Sequence, residues 1–231
     1  MCETNPIIVA LDVDTADEAL QIVKTLGDQA TFYKVGLELY SAAGMPFVRQ
    51  LAVSFRKKVF LDLKLYDISE TVKRATRLIA QSDVTFLTIH ARRKVMQAAV
   101  EGRGDSQTKL LAVTVLTNFE QSDVADLGYP AGTTIADLVR SRSRQAAETG
   151  VDGIVCSPLE VGAVRQIAGP KMVLVTPGVR SAGAASADQR RIATPREAIR
   201  NGADYIVVGR QVTRAEDPGV AYQKILDEIV A

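Results

Sequence analysis

Short runs of apolar, β-branched residues recur along the chain, and stretches with helical spacing of their apolar positions lie between them. The helical spacing is clearest over 16–26, 71–80 and 135–149, and Gly150 follows the last stretch as a natural helix stop. Continuous apolar strands that alternate with amphipathic helices are typical of a parallel sheet covered by those helices. The predicted strands span 7–13, 32–37, 59–65, 86–91, 110–116, 153–157, 172–178 and 205–210.

Eight strands, each followed by a predicted helix, indicate an α/β protein with the (β/α)8 TIM-barrel fold. The first strand begins within ten residues of the N-terminus and the last helix covers about 219–230, so we expect one barrel domain over residues 1–231. Two connections are longer than the rest, 117–132 and 178–191, and long loops in a compact domain are usually functional or mobile. An open doubly wound sheet is the alternative, which the lack of a G-x-G-x-x-G motif after the first strand disfavours.

The composition of the chain excludes several structural and functional classes. Of the 231 residues, 47% are hydrophobic and 24% charged, which is ordinary for a globular protein and excludes disorder. The net charge of +1 and the absence of a basic block predict no nucleic-acid partner, and no apolar run reaches the roughly 18 residues of a membrane span. Two cysteines, Cys2 and Cys156, form neither a disulfide framework nor a zinc site. Without a signal peptide before Cys2, we expect a cytoplasmic protein.

Charged residues stand near the ends of the predicted strands, where the active sites of TIM barrels lie. Asp62 and Lys64 are two residues apart on the third strand, so both side chains should point to the same face. Lys34 on the second strand and Asp67 after the third add two further charges. Such charges are costly to desolvate unless they are paired. We interpret the four residues as a functional charge network rather than as an ion pair that only sets strand register.

The chemistry of this network follows from its lysine. Carboxylates near Lys64 favour its ammonium form, which argues against a Schiff-base role because that role needs a lowered pKa. A cationic lysine is suited to stabilising a developing carbanion and then protonating it. A fixed carboxylate beside it would repel a carboxylate of the substrate. The pattern therefore suggests a decarboxylation.

A phosphate site is predicted at strands seven and eight, where barrel enzymes often bind this group. Gly209 ends the eighth strand and permits close approach of the backbone, and Arg210 follows it. The long loop before that strand holds Arg180 and Gln189. Each arginine alone would be interpreted as a surface residue. Because the guanidinium fork matches phosphate geometry, their common position favours a phosphate grip.

The sequence resembles the orotidine 5'-monophosphate decarboxylase family. The motif D-x-K-x-x-D-I is present as residues 62–68, and a single motif of this kind would be weak. The resemblance is strong because further segments follow in the family's order over nearly the whole chain. These segments are 10–12, 34–36, 114–117, 176–180, 188–189 and 209–210.

The resemblance implies decarboxylation of orotidine 5'-monophosphate to uridine 5'-monophosphate in de novo pyrimidine biosynthesis. It implies that Lys64 donates the proton to C6 of the pyrimidine, that Asp62 lies beside the departing carboxylate, and that Lys34 and Asp67 complete a catalytic tetrad. It also implies a homodimer in which Asp67 and Thr71 reach the neighbouring subunit's site, with no metal and no organic cofactor. The implied substrate contacts are Asp12 and Lys34 at the ribose, Thr117 at the pyrimidine, Asp62 and Thr71 elsewhere on the substrate, and Arg180, Gln189, Gly209 and Arg210 at the phosphate.

The sequence departs from the common family pattern at six positions, none of which is a tetrad residue. Residues 65–66 are Leu-Tyr where Phe-His is frequent, and Ser69-Glu70 stands where Pro-Asn is frequent. Ser181 and Gln211 each follow an arginine at a position that is often proline. Glu70 adds a negative charge near the expected site and interface.

Two alternative functions stay open. Relatives in the same superfamily bind magnesium and act on ketose phosphates as decarboxylases or synthases, and they share the D-x-K-x-x-D strand. In those relatives the position matching Lys34 resembles an acidic metal ligand, so a lysine here disfavours the metal. The second alternative is a barrel that only binds a nucleotide, which should have lost a tetrad charge because unneeded buried charges destabilise a fold.

Overall fold

Eight parallel strands close into a barrel in the computed structural model, which describes residues 5–181 and 193–230. Each strand pairs with the next, and the eighth pairs with the first. This closure confirms the predicted (β/α)8 barrel and rules out the open doubly wound sheet. The strands are β1 (Ile7–Ala10), β2 (Phe32–Gly36), β3 (Lys58–Leu65), β4 (Phe86–His90), β5 (Lys109–Val113), β6 (Gly153–Val155), β7 (Val173–Thr176) and β8 (Tyr205–Val208).

Helices cover the outside of the barrel. They are α1 (Ala16–Leu26), α2 (Leu37–Arg49), α3 (Ser69–Ala80), α4 (Arg93–Arg103), α5 (Gln121–Asp126), α6 (Ile135–Thr149), α7 (Val161–Ala168), α8 (Pro195–Arg200), α9 (Arg210–Thr213) and α10 (Pro218–Val230), with a π-helical segment at Gln50–Ser54. The bounds of α1 and α6 coincide with the prediction, because Thr15 and Thr134 cap their N-termini by accepting backbone N–H groups. None of the helices in the two described ranges combines the length and apolar character that crossing a bilayer requires.

The barrel interior is built in layers, with an aromatic layer beneath a polar one. Phe32 and Phe60 pack on Phe86 with ring centroids 5.0 and 6.0 Å away, respectively, and all three point inward from β2, β3 and β4. Side chains two residues apart on a strand share a face, so the next inward positions on these strands form the layer above. Those positions are Lys34, Asp62 and Thr88.

The sheet ends earlier than the apolar runs predicted on every strand except β3. β1 ends at Ala10 rather than at residue 13, and β5 ends at Val113 rather than at residue 116. Apolar residues beyond the ladder are still buried, as Val115 is, so the hydrophobic pattern continues after the strand pairing has stopped. Residues that lie beyond the paired strands for this reason, among them Asp12 and Leu116, line the mouth of the barrel.

Gly153 begins β6 at a point where the barrel has no room for a side chain. A Cβ atom at this position would lie 2.3 Å from the carbonyl oxygen of Val173 and 2.7 Å from Cδ2 of Leu111. The Val173 carbonyl belongs to the adjacent strand, which pairs with β6, so it cannot retreat without disturbing that pairing. Space, rather than backbone conformation, therefore requires glycine here.

We expect Gly153→Ala to lower the free energy of unfolding by about 1–3 kcal/mol, the usual cost of overpacking a close-packed core. Gly162→Ala in α7 is the matched control, because the nearest atom to its Cβ outside that helix would be the Asn201 carbonyl oxygen, 3.9 Å away. Chemical denaturation followed by circular dichroism measures both variants. Equal losses of stability in the two would contradict the steric explanation.

Candidate active site

A cavity of about 360 Å³ opens at the carboxyl ends of the strands, a volume within the range of small-molecule sites. Apolar side chains from the inner core, including Phe60 and Val155, form part of its wall. The residues predicted from the sequence that line it are Asp12, Lys34, Asp62, Lys64, Thr117, Arg180, Gly209 and Arg210. Gln189 lies outside the described residues.

Four charged side chains form a chain of alternating sign at one side of the cavity. The Lys34 ammonium lies 2.7 Å from Oδ1 of Asp12 and 3.9 Å from Oδ2 of Asp62. The Lys64 ammonium lies 2.9 Å from the same Asp62 oxygen. Lys34 and Asp62 are only 12% and 14% exposed, so their attraction is screened less than that of a surface pair. Lys64, at 36% exposed, is the member that faces the cavity.

Asp67 and Thr71 do not line this cavity. Asp67 is exposed, and its carboxylate accepts the backbone N–H of Ile68 at 2.6 Å. Among the described residues no ion pair within 4.0 Å joins Asp67 to Lys34 or Lys64, so Asp12 occupies the fourth place in the charge chain of a single subunit. The expected network of Lys34, Asp62, Lys64 and Asp67 is therefore not assembled within one chain, and a role for Asp67 across a subunit boundary stays a prediction.

The side chains of Lys64 and Asp62 meet because β3 is irregular at this point, and not through the regular alternation of side chains along a strand. Its φ is 50°, in the left-handed region, and the pairing of β3 with β4 shifts register between Leu61 and Leu65. The backbone N–H of Lys64 donates to Oγ1 of Thr88 at 2.9 Å. The Thr88 hydroxyl in turn donates to Oδ1 of Asp62 at 2.9 Å. The shared face predicted for Asp62 and Lys64 is thus obtained by a strained backbone held by a neighbouring side chain.

Sequence reasoning missed Thr88, although a signal for it was present. Thr88 lies in the middle of β4, two residues after Phe86, and is fully buried. A polar residue at an inward position of an apolar strand needs a hydrogen-bond partner, since an unpaired buried hydroxyl is costly. The inward charges of the adjacent strand β3 are the partners that this position predicts.

Arg180, Gly209 and Arg210 lie at the ends of β7 and β8, on the opposite side of the cavity from Lys64. Two residues that depart from the family pattern contact one another here. The side-chain amide of Gln211 donates to Oγ of Ser181 at 2.6 Å, and the Ser181 N–H donates to Oε1 of Gln211 at 3.3 Å. Because each residue follows one of the arginines, this pair ties together the two segments that carry them.

His90, the single histidine of the chain, lies beside the cavity rather than in it. It is half-buried, and its ring centroid is 5.2 Å from that of Tyr66. Burial, followed by the positive charge of Arg142, lowers the pKa of His90 below its ordinary value. A half-buried imidazole packed at a tilt against a tyrosine ring fits the expectation of a packing residue better than that of a catalytic base.

The described residues contain no group of three or more His, Cys, Asp or Glu side chains arranged to hold a metal ion. Asp12 and Asp62, the acidic residues of the cavity, both contact the Lys34 ammonium. A metal ion bound between these carboxylates would have to displace a lysine.

A family model described as the orotidine 5'-phosphate decarboxylase / HUMPS family matches residues 5–225. The chain belongs to this family. It is 51% identical over 224 residues to a protein named orotidine 5'-phosphate decarboxylase from Rhodopseudomonas palustris, covering 97% of this chain and 94% of the relative. A protein of the same name from Bradyrhizobium diazoefficiens is also 51% identical, over 96% of this chain and 93% of the relative.

Two solved structures resemble this barrel along nearly its whole length. The crystal structure of orotidine 5'-phosphate decarboxylase from Lactobacillus acidophilus superposes with a TM-score of 0.84 at 37% identity, covering 99% of this chain and 100% of that one. The structure of an uncharacterized conserved protein from Geobacillus kaustophilus superposes with a TM-score of 0.83 at 33% identity, covering 97% and 100% of the two chains. The orotidine 5'-phosphate decarboxylase / HUMPS fold is therefore shared without a large insertion or deletion.

Gly36 leaves room for the Lys34 side chain in this family member. A Cβ atom at position 36 would lie 2.9 Å from Nζ of Lys34 and 3.5 Å from Oδ1 of Asp12. The clashing atom is the end of a flexible side chain, so it can move at small cost to the fold but not without leaving its ion pairs. We expect Gly36→Ala to lower kcat/KM by about tenfold or more, because displacing a site group such as the Lys34 ammonium by about one ångström is costly. The melting temperature should stay nearly unchanged.

Steady-state kinetics and a thermal melt, measured on the same preparation of Gly36→Ala, check this expectation. Gly162→Ala again serves as control, because outside its own helix no atom would come closer than 3.9 Å to its Cβ. Full activity of Gly36→Ala would contradict the proposed need for space beside Lys34.

Proposed function

We propose that the chain decarboxylates orotidine 5'-monophosphate to uridine 5'-monophosphate, in de novo pyrimidine biosynthesis, without a metal or organic cofactor. The observation that carries this proposal is the Lys64 ammonium, 2.9 Å from the Asp62 carboxylate in a cavity whose far side carries two arginines. Relatives that bear the decarboxylase name share about half of its residues over nearly the full chain. The reaction needs a cation where negative charge develops and an anion grip away from the reacting carbon, and the cavity contains suitable groups for both.

Substrate binding is assigned to the residues away from the Asp62–Lys64 pair. Arg180 and Arg210, with the backbone at Gly209 and the side chain of Gln189, hold the phosphate. Asp12 and Lys34 contact the ribose, and Thr117 lies by the pyrimidine. The arginines supply a planar fork of donors suited to phosphate oxygens. Binding energy from these contacts, remote from the bond that breaks, orients the pyrimidine against Lys64.

The chemical step is assigned to the Asp62–Lys64 pair. The bond between C6 and the carboxylate breaks, carbon dioxide departs, and the electron pair of that bond remains on C6. The Lys64 ammonium stabilises this developing charge and then transfers a proton to C6, which gives uridine 5'-monophosphate and a neutral amine. Asp62, beside the leaving carboxylate, keeps the ammonium oriented. Solvent returns the proton to Lys64 before the next turnover.

We propose that the enzyme is a homodimer in which Asp67 and Thr71 reach the partner's site. Asp67 is flanked by two exposed apolar residues, Tyr66 at 62% and Ile68 at 72% exposed. Leu116 and Leu127, also exposed, line a pocket together with Tyr66. An exposed apolar patch beside a catalytic cavity is typical of a subunit interface. A second copy of the chain bound there would place its own Asp67 carboxylate near Lys34 and Lys64.

The magnesium-dependent alternative is less well supported. Both carboxylates of the cavity are engaged by the Lys34 ammonium, at 2.7 and 3.9 Å, so a divalent cation would meet a like charge. The binding-only alternative is also weak, because the strained Lys64 and the alternating charges have a cost that a simple binding site would not need. We further propose that residues 1–231 form one domain and that the enzyme is cytoplasmic, which its place in pyrimidine biosynthesis supports.

We expect the purified protein to convert orotidine 5'-monophosphate in the presence of excess chelator. The loss of the orotate ultraviolet absorbance measures this turnover. Lys64→Ala should lower kcat by about 10²–10⁴-fold, the usual contribution of a positioned proton donor, and should still bind uridine 5'-monophosphate. Turnover of a ketose phosphate on adding magnesium, with none of the nucleotide, would move the assignment to the alternative enzyme. Near-normal turnover by Lys64→Ala would contradict the proposed role of Lys64 as the proton donor.

The dimer proposal is tested by complementation between two inactive variants, Lys64→Ala and Asp67→Asn, co-expressed with different tags. If Asp67 serves the partner's site, a mixed dimer contains one intact site, because one subunit keeps Lys64 and the other keeps Asp67. Random pairing should then restore about a quarter of the wild-type activity. If Asp67 serves its own site, every site carries one lesion and the mixture stays inactive.

A further inference from the structure

Lys64 is held in a backbone conformation that L-residues avoid. Three non-glycine residues of the described chain have a positive φ, namely Arg56, Lys64 and Asp83, and Lys64 alone among them lines the cavity. The left-handed conformation is unfavourable for a residue with a side chain, so the surroundings must stabilise it. The stabilising contact is therefore a determinant of where the ammonium lies.

Thr88 provides this contact. Its hydroxyl accepts the Lys64 N–H at 2.9 Å, at the point where the β3–β4 ladder loses its register between Leu61 and Leu65. The side chain of Thr88 thus replaces the backbone acceptor that a regular strand would offer. Thr88 itself is fully buried, so no water competes for its hydroxyl.

The same hydroxyl orients the Asp62 carboxylate. A hydroxyl has one proton, and that proton is donated to Oδ1 of Asp62 at 2.9 Å. The bond leaves Oδ2 for both ammonium groups, Lys64 at 2.9 Å and Lys34 at 3.9 Å. Rotation of the carboxylate would break the bond to Thr88, so the oxygen that faces Lys64 is fixed.

We propose that Thr88 is a positioning residue for the decarboxylation: one buried hydroxyl holds the backbone of Lys64 and the carboxylate of Asp62 at a fixed separation. This inference rests on the proposed role of Lys64 as proton donor. Thr88 touches neither the substrate nor the reacting carbon in this assignment. It acts by keeping two groups preorganised that would otherwise relax away from each other.

The experiment compares Thr88→Val with Thr88→Ser. Valine keeps the branched shape and removes the hydroxyl, whereas serine keeps the hydroxyl and removes a methyl group. Thr76→Val is the matched control, because Thr76 is equally buried in α3 and its hydroxyl has no hydrogen-bond partner within the described part of the chain. Each variant is examined for its melting temperature, kcat, KM for orotidine 5'-monophosphate, and Kd for uridine 5'-monophosphate.

We expect Thr88→Val to lower kcat by about 10- to 100-fold, which corresponds to losing one buried hydrogen bond to a charged or strained group. KM and the Kd of the product should stay within about threefold of wild type, because the phosphate and ribose contacts are untouched. Thr88→Ser should recover most of kcat, and Thr76→Val should match wild type. A purely structural role would instead lower the melting temperature and affect serine and valine variants alike.

Two outcomes would overturn the inference. One is a folded Thr88→Val enzyme with a kcat within about threefold of wild type. The other is a Thr88→Ser enzyme as slow as the valine variant, or slower, which would assign the effect to packing. Should Thr88→Val fail to fold, a Thr88→Ser enzyme with near-normal kcat still supports the hydroxyl, and an impaired one refutes it. Failure of the proposed function is separate, because wild-type turnover and Lys64→Ala report on that alone.

Discussion

The Asp62 carboxylate is the constraint around which this site is arranged. It is a charged group inside the barrel, only 14% exposed, and such a group destabilises a fold unless donors surround it. Its partners come from three directions: Lys34 on the second strand, Lys64 on its own strand, and Thr88 on the fourth. Once the carboxylate is satisfied in this way, the lysine ammonium groups have fixed positions as well. The hydrogen bonds and ion pairs that stabilise the buried Asp62 charge therefore also position the lysine ammonium groups in the site.

Barrel closure is what brings these partners together. The phenylalanine layer below fills the barrel interior and leaves the next inward positions of β2, β3 and β4 to polar side chains. A rigid apolar floor of this kind limits the movement of charges above it, and it keeps water from reaching them from below. The positive φ of Lys64 and the register shift of β3 show that the wall is locally distorted to aim one ammonium into the cavity.

The phosphate end of the cavity has a different design. Where the family pattern often has proline after each arginine, this chain has Ser181 and Gln211, and these two residues bond to each other. Proline restricts the backbone through its ring, whereas this pair restricts it through two hydrogen bonds between neighbouring segments. The two departures are thus coupled, and together they join the segments that bear Arg180 and Arg210. The family's barrel is retained, and in this chain a side-chain hydrogen-bonded pair rather than proline restrains the two arginine-bearing segments.

The sequence by itself determined the barrel, the order of its strands, and the charged residues that line the cavity, because apolar periodicity and strand-end charges are local patterns. It could not reveal that Asp12 rather than Asp67 completes the charge chain of one subunit, since that depends on which loop ends meet in space. It also missed Thr88, whose importance arises from two contacts with an adjacent strand. Tertiary structure decided these points because closing the barrel sets distances between residues far apart in the chain, and local patterns contain no information about those distances.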